Sequence, residues 1–345
     1  MHMTQIPTES LMIGFKSGFE LNSGHFETQT LPLAPLKPKD VLVEIQAVSV
    51  NPVDTKRRQT LPATDQFQVL GYDAAGRILA VGDAVTDFKV GDAVFYAGTT
   101  RRRGADSQYQ VVDSRLIALA PKQLTSAQQA ALPLTALTAY ELLFEKMNFV
   151  PQANANNGQR ILVINGAGGV GSILTQLAKW SGLRVYATSS PRNFDWLMRN
   201  RTDVTLDYHQ DLIEALKGVD ITDMDGIAIL YDPKAYFEVA AQLVRPFGHI
   251  GTIVAAADLP VGLIKNKAAS LDWAYMFAKA DYGYKIASQG QILAQISRLI
   301  DQGILKTTLT ETFHDITPDT LYQAHQLIES GRVRGKLVLS GPVHK

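Results

Sequence analysis

The chain has 345 residues, 46% of them hydrophobic and 19% charged, the composition of a globular protein long enough for two domains with separate cores. Its 33 basic and 33 acidic side chains balance, which gives no electrostatic indication of a nucleic-acid partner or an anionic membrane. No apolar run approaches the ~20 residues that span a bilayer, and no secretory signal pattern opens the sequence, so we expect a cytoplasmic protein.

Cysteine is absent from the sequence. Its absence excludes disulfides, thiolate nucleophiles and zinc sites with cysteine ligands. The seven histidines show no spacing typical of a metal site. We therefore predict that the protein binds no metal.

The first 130 residues have the sequence pattern of a β domain. Short β-type runs at residues 40–49, 75–82, 91–96 and 107–112 are separated by Gly, Pro and Asp. Close spacing with turn residues between the runs predicts a small barrel-like domain. Two basic clusters, at residues 56–58 and 101–103, are either solvated loops or cationic edges of a cleft for an anionic cofactor.

Helical and strand patterns alternate in the middle of the chain. Helices are predicted at 126–132, 136–144, 171–181, 195–199 and 235–244, and strands at 161–165, 183–188, 226–231 and 248–255. Such alternation indicates an α/β domain with a doubly wound parallel sheet. A last helix at 291–301 precedes strand-like pieces at 307–313 and 336–339, which return to the β domain. We predict domain segments 1–130, 131–275 and 276–345.

The most informative motif lies between a predicted strand and a predicted helix. The apolar run at 161–165 ends in the Gly-x-Gly-x-x-Gly pattern of Gly166, Gly168 and Gly171. Glycines there permit a tight turn, close approach of a pyrophosphate and close helix packing, and the helix N-terminus faces the phosphates. The motif predicts a dinucleotide site whose contact residues are Gly166, Gly168, Gly169, Val170 and Gly171.

The end of the next predicted strand indicates which dinucleotide is bound. An acid stands there in NAD-binding proteins, ~20 residues past the first glycine. This chain has Ser189, Ser190 and Arg192 instead, which offer two hydroxyls and a guanidinium to a 2′-phosphate. NADP(H) is therefore the predicted cofactor, although an ordinary polar loop has the same residue types.

Six segments taken together resemble a known family. They are AVSVNPVD at 47–54, GYDAAG at 71–76, VGDAVTDFKVGD at 81–92, AALPLTALTA at 130–139, GAGGVG at 166–171 and GRVRGK at 331–336. This order is similar to that of the medium-chain dehydrogenase/reductase superfamily, most of all its quinone oxidoreductase branch and members described as zinc-type alcohol dehydrogenase-like. The resemblance implies a GroES-like catalytic domain, an inserted Rossmann domain and a cleft between them that holds NADPH.

The same resemblance points to the catalytic residues. Asn51 and Tyr72 stand where zinc enzymes of the family have a Cys and a His, so the metal site is expected to be lost. Asn51 is the first candidate hydrogen-bond donor to substrate, with a simple turn residue before Pro52 as the alternative. Lys56 stands where many quinone reductases have a Tyr, and it either donates a cationic hydrogen bond or is solvated. Tyr72 either lines the pocket or packs.

Three further cofactor contacts follow from the resemblance. Thr138 matches a threonine near the nicotinamide, Tyr208 a tyrosine near the 2′-phosphate, and Ala255 lies in a small-residue loop that ends a strand. Thr138 alternatively bonds its own helix backbone, and Tyr208 is alternatively a core or edge aromatic.

We therefore predict a zinc-independent oxidoreductase that transfers hydride from NADPH to a quinone or an α,β-unsaturated carbonyl, a small-molecule acceptor that delocalises the charge itself. The alternatives are an enoyl-thioester reductase and a non-catalytic NADPH-binding protein that serves as a sensor or structural component. A homodimer is expected, because the 248–255 strand lies where relatives pair edge strands.

Overall fold

The computed structural model describes residues 6–345 and divides into two units. Unit 1 runs to Leu134 and resumes at Phe277–Gly303 and Thr307–Lys345, and unit 2 comprises Thr135–Met276 and Ile304–Lys306. The predicted boundaries at 130 and 275 lie beside these limits. The short return of the chain at Ile304–Lys306 was not foreseen. There the Lys306 N–H donates to Gln176 Oε1 at 2.8 Å.

The elements are numbered in chain order. The strands are β1 Glu9–Gly14, β2 Glu27–Pro32, β3 Asp40–Ser49, β4 Ala74–Val81, β5 Ala93–Tyr96, β6 Tyr109–Asp113, β7 Ile117–Leu119, β8 Arg160–Ile164, β9 Arg184–Ser189, β10 Val204–Asp207, β11 Met224–Ile229, β12 Val244–Thr252, β13 Ser270–Trp273, β14 Leu309–Ile316 and β15 Lys336–Val343. The helices are α1 Pro52–Thr60, α2 Ser126–Ala130, α3 Pro133–Tyr140, α4 Gly169–Trp180, α5 Phe194–Arg199, α6 Leu212–Lys217, α7 Pro233–Leu243, α8 Phe277–Tyr282, α9 Ala287–Asp301 and α10 Pro318–Glu329.

Unit 1 is built on a seven-stranded sheet. The order is β14-β15-β3-β4-β5-β7, with β6 paired to β3 and a separate β1-β2 hairpin. All of its pairings are antiparallel except that of β14 with β15. The last strand returns to the first part of the chain, because Val338 of β15 pairs with Ser49 of β3.

The segment that was interpreted as an Asn-Pro-Val-Asp turn begins a helix instead. Asn51 is the N-cap of α1, and Pro52 follows at the first helical turn, where proline is well tolerated. The Asn51 N–H donates to the Asp54 carboxylate at 2.8 Å. Helical spacing places Asp54 and Arg58 on the buried face of α1.

Unit 2 contains the predicted doubly wound sheet. Its six strands have the order β10-β9-β8-β11-β12-β13, and every pair is parallel. Strand β11 is buried along its whole length, as expected when helices cover both faces of a parallel sheet. A core beneath α6 and α7 includes Leu162, Leu216, Ile227, Phe237 and Ile250.

The prediction that residues 248–255 form an edge strand of the sheet is wrong. The predicted 248–255 run forms β12, which lies between β11 and β13, so β13 is the edge of the sheet. Strand β13 has only four residues, two of them Ser270 and Asp272. A short and partly polar strand of this kind gives a weak sequence signal, and it was therefore missed.

No helix among residues 6–345 is long and apolar enough to cross a membrane.

We still expect a homodimer, now through β13, because an unpaired sheet edge favours association with a second strand. Light scattering after size exclusion at micromolar concentration is expected to give twice the 37.7 kDa mass of one chain. A single-chain mass under these conditions would contradict the prediction.

Candidate functional site

The glycine-rich loop of unit 2 is tight enough to require its glycines. A Cβ on Gly171 would lie 2.4 Å from the Asn165 carbonyl oxygen, and one on Gly166 would lie 2.7 Å from Ala187 Cβ. Asn165 itself adopts a left-handed conformation, with φ of 67°. Helix α4 begins at Gly169, and the first N–H groups of a helix have no partner within it. The loop therefore fits a bound pyrophosphate.

The residues predicted to select the cofactor follow β9. Ser189 ends the strand, and Asn193 Nδ2 donates to the Ser189 and Ser190 hydroxyl oxygens at 3.1 and 3.4 Å. Both hydroxyls therefore keep their own hydrogens available for an acceptor. The Arg192 side chain is exposed, and in the described part of the chain its guanidinium has no partner. Sequence reasoning missed the orienting role of Asn193, which lies only three and four residues beyond the serines.

Tyr208 lies beside this group, just after β10. Its N–H donates to the Ser189 carbonyl at 3.4 Å, and its side chain is 45% exposed. Asp207, which pairs in register with Ser189, is an acid that the sequence argument did not weigh. A backbone hydrogen bond from His209 lowers the pKa of Asp207, and His209 Nδ1 lies 2.6 Å from its carboxylate.

The carboxyl ends of the parallel strands bring most of these predictions together. The glycine loop follows β8, Ser189 to Arg192 follow β9, Tyr208 follows β10, and Ala255 lies exposed beyond the end of β12. Ligands of open α/β sheets bind at this edge. Thr138 differs, since it is buried within α3 and not at a strand end.

In unit 1, a buried ammonium group organises a second polar cluster. Lys336 Nζ donates to Asp73 Oδ2 at 2.9 Å and to Asn51 Oδ1 at 2.5 Å. Asn51 Nδ2 donates to Asp73 Oδ2 at 2.8 Å and to the Ser49 carbonyl at 3.3 Å. Asp73 also accepts from the Leu134 N–H at 2.7 Å. Burial raises the pKa of Asp73, while the Lys336 charge and three donors favour its carboxylate form.

Both hydrogens of the Asn51 amide are therefore used inside this cluster, and the residue is 1% exposed. Direct donation from Asn51 to a substrate requires that one of these bonds be given up. Asn51 is brought together with Asp73 and Lys336, and its catalytic role stays a prediction. Sequence reasoning quoted Lys336 within a motif but gave it no role, because a lone lysine before an apolar strand carries no signal of burial.

Tyr72 lies next to a different set of charges. It is 2% exposed, packs against Phe277 at a ring distance of 4.9 Å, and has the Arg57 guanidinium carbon 5.9 Å from its ring centroid. Burial raises the pKa of Tyr72 well above its usual range, against the opposing charge and hydrogen bond of Arg57. Tyr72 is therefore a neutral phenol, able to donate a hydrogen bond.

Two buried acids accompany Tyr72. Asp54 accepts from the Asn51 and Gly71 N–H groups at 2.8 and 3.2 Å, and burial raises its pKa to about 7. Burial, together with the charge of Asp54, also raises the pKa of Asp106 well above the usual range. The pKa values of two carboxyl groups beside Tyr72 are thus raised by their burial.

Lys56 lies outside this arrangement. Its side chain is exposed, and the cation beside Tyr72 is its neighbour Arg57. The helical geometry of α1 explains the difference, because residues three apart, such as Asp54 and Arg57, share a face and Lys56 does not lie on it. Recognising the helix from its Asn-Pro start would have favoured Arg57.

The predicted zinc positions do not suit zinc. Asn51 Oδ1 already accepts from the Lys336 ammonium, whose positive charge opposes a second cation at that oxygen. Tyr72 remains a neutral phenol, whereas zinc sites use thiolate, imidazole or carboxylate. Across residues 6–345, no group of three or more His, Cys, Asp or Glu side chains is arranged to hold a metal ion.

Comparison with known proteins agrees with this architecture. Residues 37–122 match the alcohol dehydrogenase GroES-like domain, and residues 201–339 match the zinc-binding dehydrogenase model. A zinc-type alcohol dehydrogenase-like protein of Staphylococcus epidermidis is 40% identical over 332 residues, which are 95% of this chain and 98% of the relative. A chloroplastic NADPH-dependent alkenal/one oxidoreductase of Arabidopsis thaliana is 29% identical over 316 residues, covering 88% of this chain and 72% of that protein.

A solved structure is also closely similar. A Rhizobium etli protein described as a zinc-dependent alcohol dehydrogenase superimposes with a TM-score of 0.91 at 36% identity. The match covers 97% of this chain and 99% of that one.

The buried cluster makes a prediction about stability. Lys336→Met leaves the Asp73 carboxylate buried without its cation, so the free energy of unfolding is expected to fall by about 3–5 kcal/mol. The double variant Lys336→Met/Asp73→Asn removes both charges and is expected to lose less than the single variant. Denaturant unfolding measures these changes, with Lys56→Met as the exposed-lysine control. A loss below about 1 kcal/mol for Lys336→Met would show that the ion pair is unimportant.

Proposed function

Because this chain belongs to the medium-chain dehydrogenase/reductase superfamily, we propose that it is a member of the quinone oxidoreductase branch and a zinc-independent, NADPH-dependent reductase of quinones or α,β-unsaturated carbonyls. The family identifies an oxidoreductase that uses a nicotinamide cofactor. The acceptor and the choice of NADPH are the proposal. The name of the Arabidopsis relative, which acts on alkenals and alkenones with NADPH, supports both.

The observation that carries the proposal is the polar cluster of unit 1. Where zinc enzymes of the family hold a metal, this chain has a neutral Tyr72 beside Arg57, and Asn51 bonded to Lys336. Of these groups, Tyr72 supplies a hydrogen bond and Arg57 supplies positive charge. A quinone or enone spreads the negative charge that hydride addition creates over its conjugated system. The protein therefore needs to supply only hydrogen bonds to stabilise that charge.

We assign separate roles to the residues of this cluster. Tyr72 donates a hydrogen bond from its hydroxyl to the developing oxyanion, and Arg57 holds that hydroxyl and adds positive charge nearby. Asn51, with both amide hydrogens engaged, keeps Asp73 and Lys336 in place. Each acceptor that is reduced consumes one hydride from the cofactor and one proton from the solvent.

On the cofactor side, bound NADPH would supply the hydride. Gly166 to Gly171 would hold its pyrophosphate at the start of α4, and the Ser189 and Ser190 hydroxyls and Arg192 would bind its 2′-phosphate. The negative charge of Asp207 opposes a phosphate here, although its Oδ1 accepts from the His209 N–H and lies 2.6 Å from His209 Nδ1. The choice of NADPH therefore depends on the two serine hydroxyls and Arg192.

The first prediction under this proposal concerns the cofactor. NADPH is expected to bind more tightly than NADH, and Arg192→Ala to remove much of the difference, since a charge-assisted contact contributes about 1.5–3 kcal/mol, roughly ten- to hundredfold in affinity. Calorimetric titration of both cofactors measures this. The matched control is Arg199→Ala, another exposed arginine of unit 2. Equal dissociation constants for NADPH and NADH in the parent protein would reject the assignment.

The second prediction concerns the reaction. NADPH oxidation is expected with 1,4-benzoquinone and with a conjugated enone, and no NADP reduction with ethanol. Tyr72→Phe keeps the ring packing on Phe277 but removes the donor, so kcat is expected to fall by up to about 10²–10³ with little change in NADPH affinity. Tyr282→Phe, at a 79% exposed side chain of α8, is the control.

The outcomes separate the candidate activities. Ethanol oxidation without reduction of quinone or enone would refute the proposed acceptor class. Reduction of an enoyl thioester alone would identify the alternative reductase. NADPH binding without turnover of any acceptor would favour the non-catalytic function.

A further inference from the structure

Unit 1 also contains a pocket whose lining includes none of Asn51, Asp54, Arg57 and Tyr72. It has a volume of about 380 Å³, within the ~300–1,000 Å³ range of small-ligand sites. Three consecutive arginines, Arg101, Arg102 and Arg103, line it together with Lys37 and a single acid, Asp40. We call it the arginine pocket. In a chain whose total charge balances, this is a local excess of positive charge.

Two of the three arginines are held in position. Arg102 Nη1 lies 2.9 Å from Asp40 Oδ1, whose side chain is only 3% exposed, and Arg103 Nη1 donates to the Pro32 carbonyl at 3.0 Å. Each guanidinium has five N–H donors, and these contacts use only one nitrogen of each. Arg101 contributes only its backbone N–H to a contact, with Thr99, so in the described residues its guanidinium is free.

Three other polar side chains of the pocket already have partners. Ser107 donates to the Tyr109 carbonyl at 3.0 Å. Gln110 donates to the Arg103 carbonyl and accepts from Tyr96, both at 2.9 Å. Asp40 is paired with Arg102. The unused N–H groups of the three arginines and the Lys37 ammonium group outnumber the acceptors left in the lining, so the matching ligand is an anion.

The remaining wall of the pocket is apolar. Met12, Leu33 and Val111 line it, and Leu33 packs against both of the small hydrophobic clusters that contain Met12 and Val111. Pro32, Ala34 and Pro35 continue this wall. A fully hydrated inorganic anion makes no use of such a surface, whereas an anion with an apolar body buries part of itself there.

We propose that the arginine pocket binds a small amphipathic carboxylate, with its carboxylate on Arg101 and Arg103 and its apolar body against Leu33. The planar fork of arginine matches a carboxylate in two hydrogen bonds. Arg102 contributes charge while it stays paired with Asp40. None of the residues given a role in the proposed reductase chemistry lines this pocket, and the inference does not depend on that proposal.

Calorimetric titration of the full-length protein with octanoate at low salt tests the proposal. We expect one octanoate per chain, with affinity at least about tenfold lower in the double variant Arg101→Gln/Arg103→Gln. The control Arg199→Gln/Arg298→Gln removes two other exposed arginines and is expected to bind as the parent does. Arg102 is left unchanged, because its loss would leave Asp40 buried and unpaired.

Two further ligands distinguish the contribution of the charged head group of octanoate from that of its apolar tail. 1-Octanol has the tail without the charge, and inorganic phosphate has charge without the tail, so both are expected to bind at least about tenfold more weakly than octanoate. Arg101→Glu, at a side chain with no partner to lose, is expected to abolish octanoate binding. Equal octanoate affinity in the parent and the Arg101/Arg103 variant, or 1-octanol or phosphate binding as tight as that of octanoate, would overturn the proposal.

Discussion

The buried ammonium of Lys336 is the interaction on which the arrangement of unit 1 depends. It joins the first residue of β15 to Asn51, 285 positions earlier in the chain, and to Asp73 just before β4. A buried charge is tolerated only when it is paired and its hydrogen bonds are satisfied. The backbone pairing of β15 with β3 and the Ser49 hydroxyl bond to the Leu337 carbonyl reinforce the same junction. The end of the chain thereby holds α1, with Asn51, Asp54 and Arg57, in place.

Unit 2 rests on a different constraint, the close approach of backbone to backbone. Gly171 lies against the Asn165 carbonyl, and Gly166 lies against Ala187 of the neighbouring strand. These contacts bring the start of α4 to the end of β8, while the parallel order of the sheet brings the ends of β9 and β10 to the same edge. The residues predicted to bind the cofactor meet because of that topology, since strands that run in one direction place their loops on one side of the sheet.

The arginines of the chain show how little a charge pattern reveals by itself. Residues 56–58 and 101–103 are both runs of three cations. In the first run Lys56 is exposed, Arg57 lies beside Tyr72, and Arg58 is fully buried against Phe19 and paired with Glu329. In the second run the guanidinium groups surround a pocket with an apolar wall. The local helix and the distant partners, not the composition of either run, produce the difference.

The sequence by itself determined the architecture and the position of the glycine-rich loop that is predicted to bind the dinucleotide. Apolar strands such as β11 alternate with helices, and the glycines of the loop leave no room for a Cβ. Both are local patterns that the sequence shows directly. The helix that starts at Asn51 and the edge strand β13 were missed, because one was interpreted as a turn and the other is short and polar.

Only the tertiary structure decided which polar side chains meet. Lys336, Asp73 and Asp106 belong to distant segments, and nothing in their neighbours along the chain indicates that they are buried. The same is true of Arg57, which lies beside Tyr72 whereas Lys56 does not. It is also true of the Asn193 amide, which donates to the serine hydroxyls. Burial, and the pKa shifts that it causes, arise from residues brought together by folding. For that reason the sequence identified the fold and the tight glycine-rich loop, whereas the contacts of the polar cluster appeared only in three dimensions.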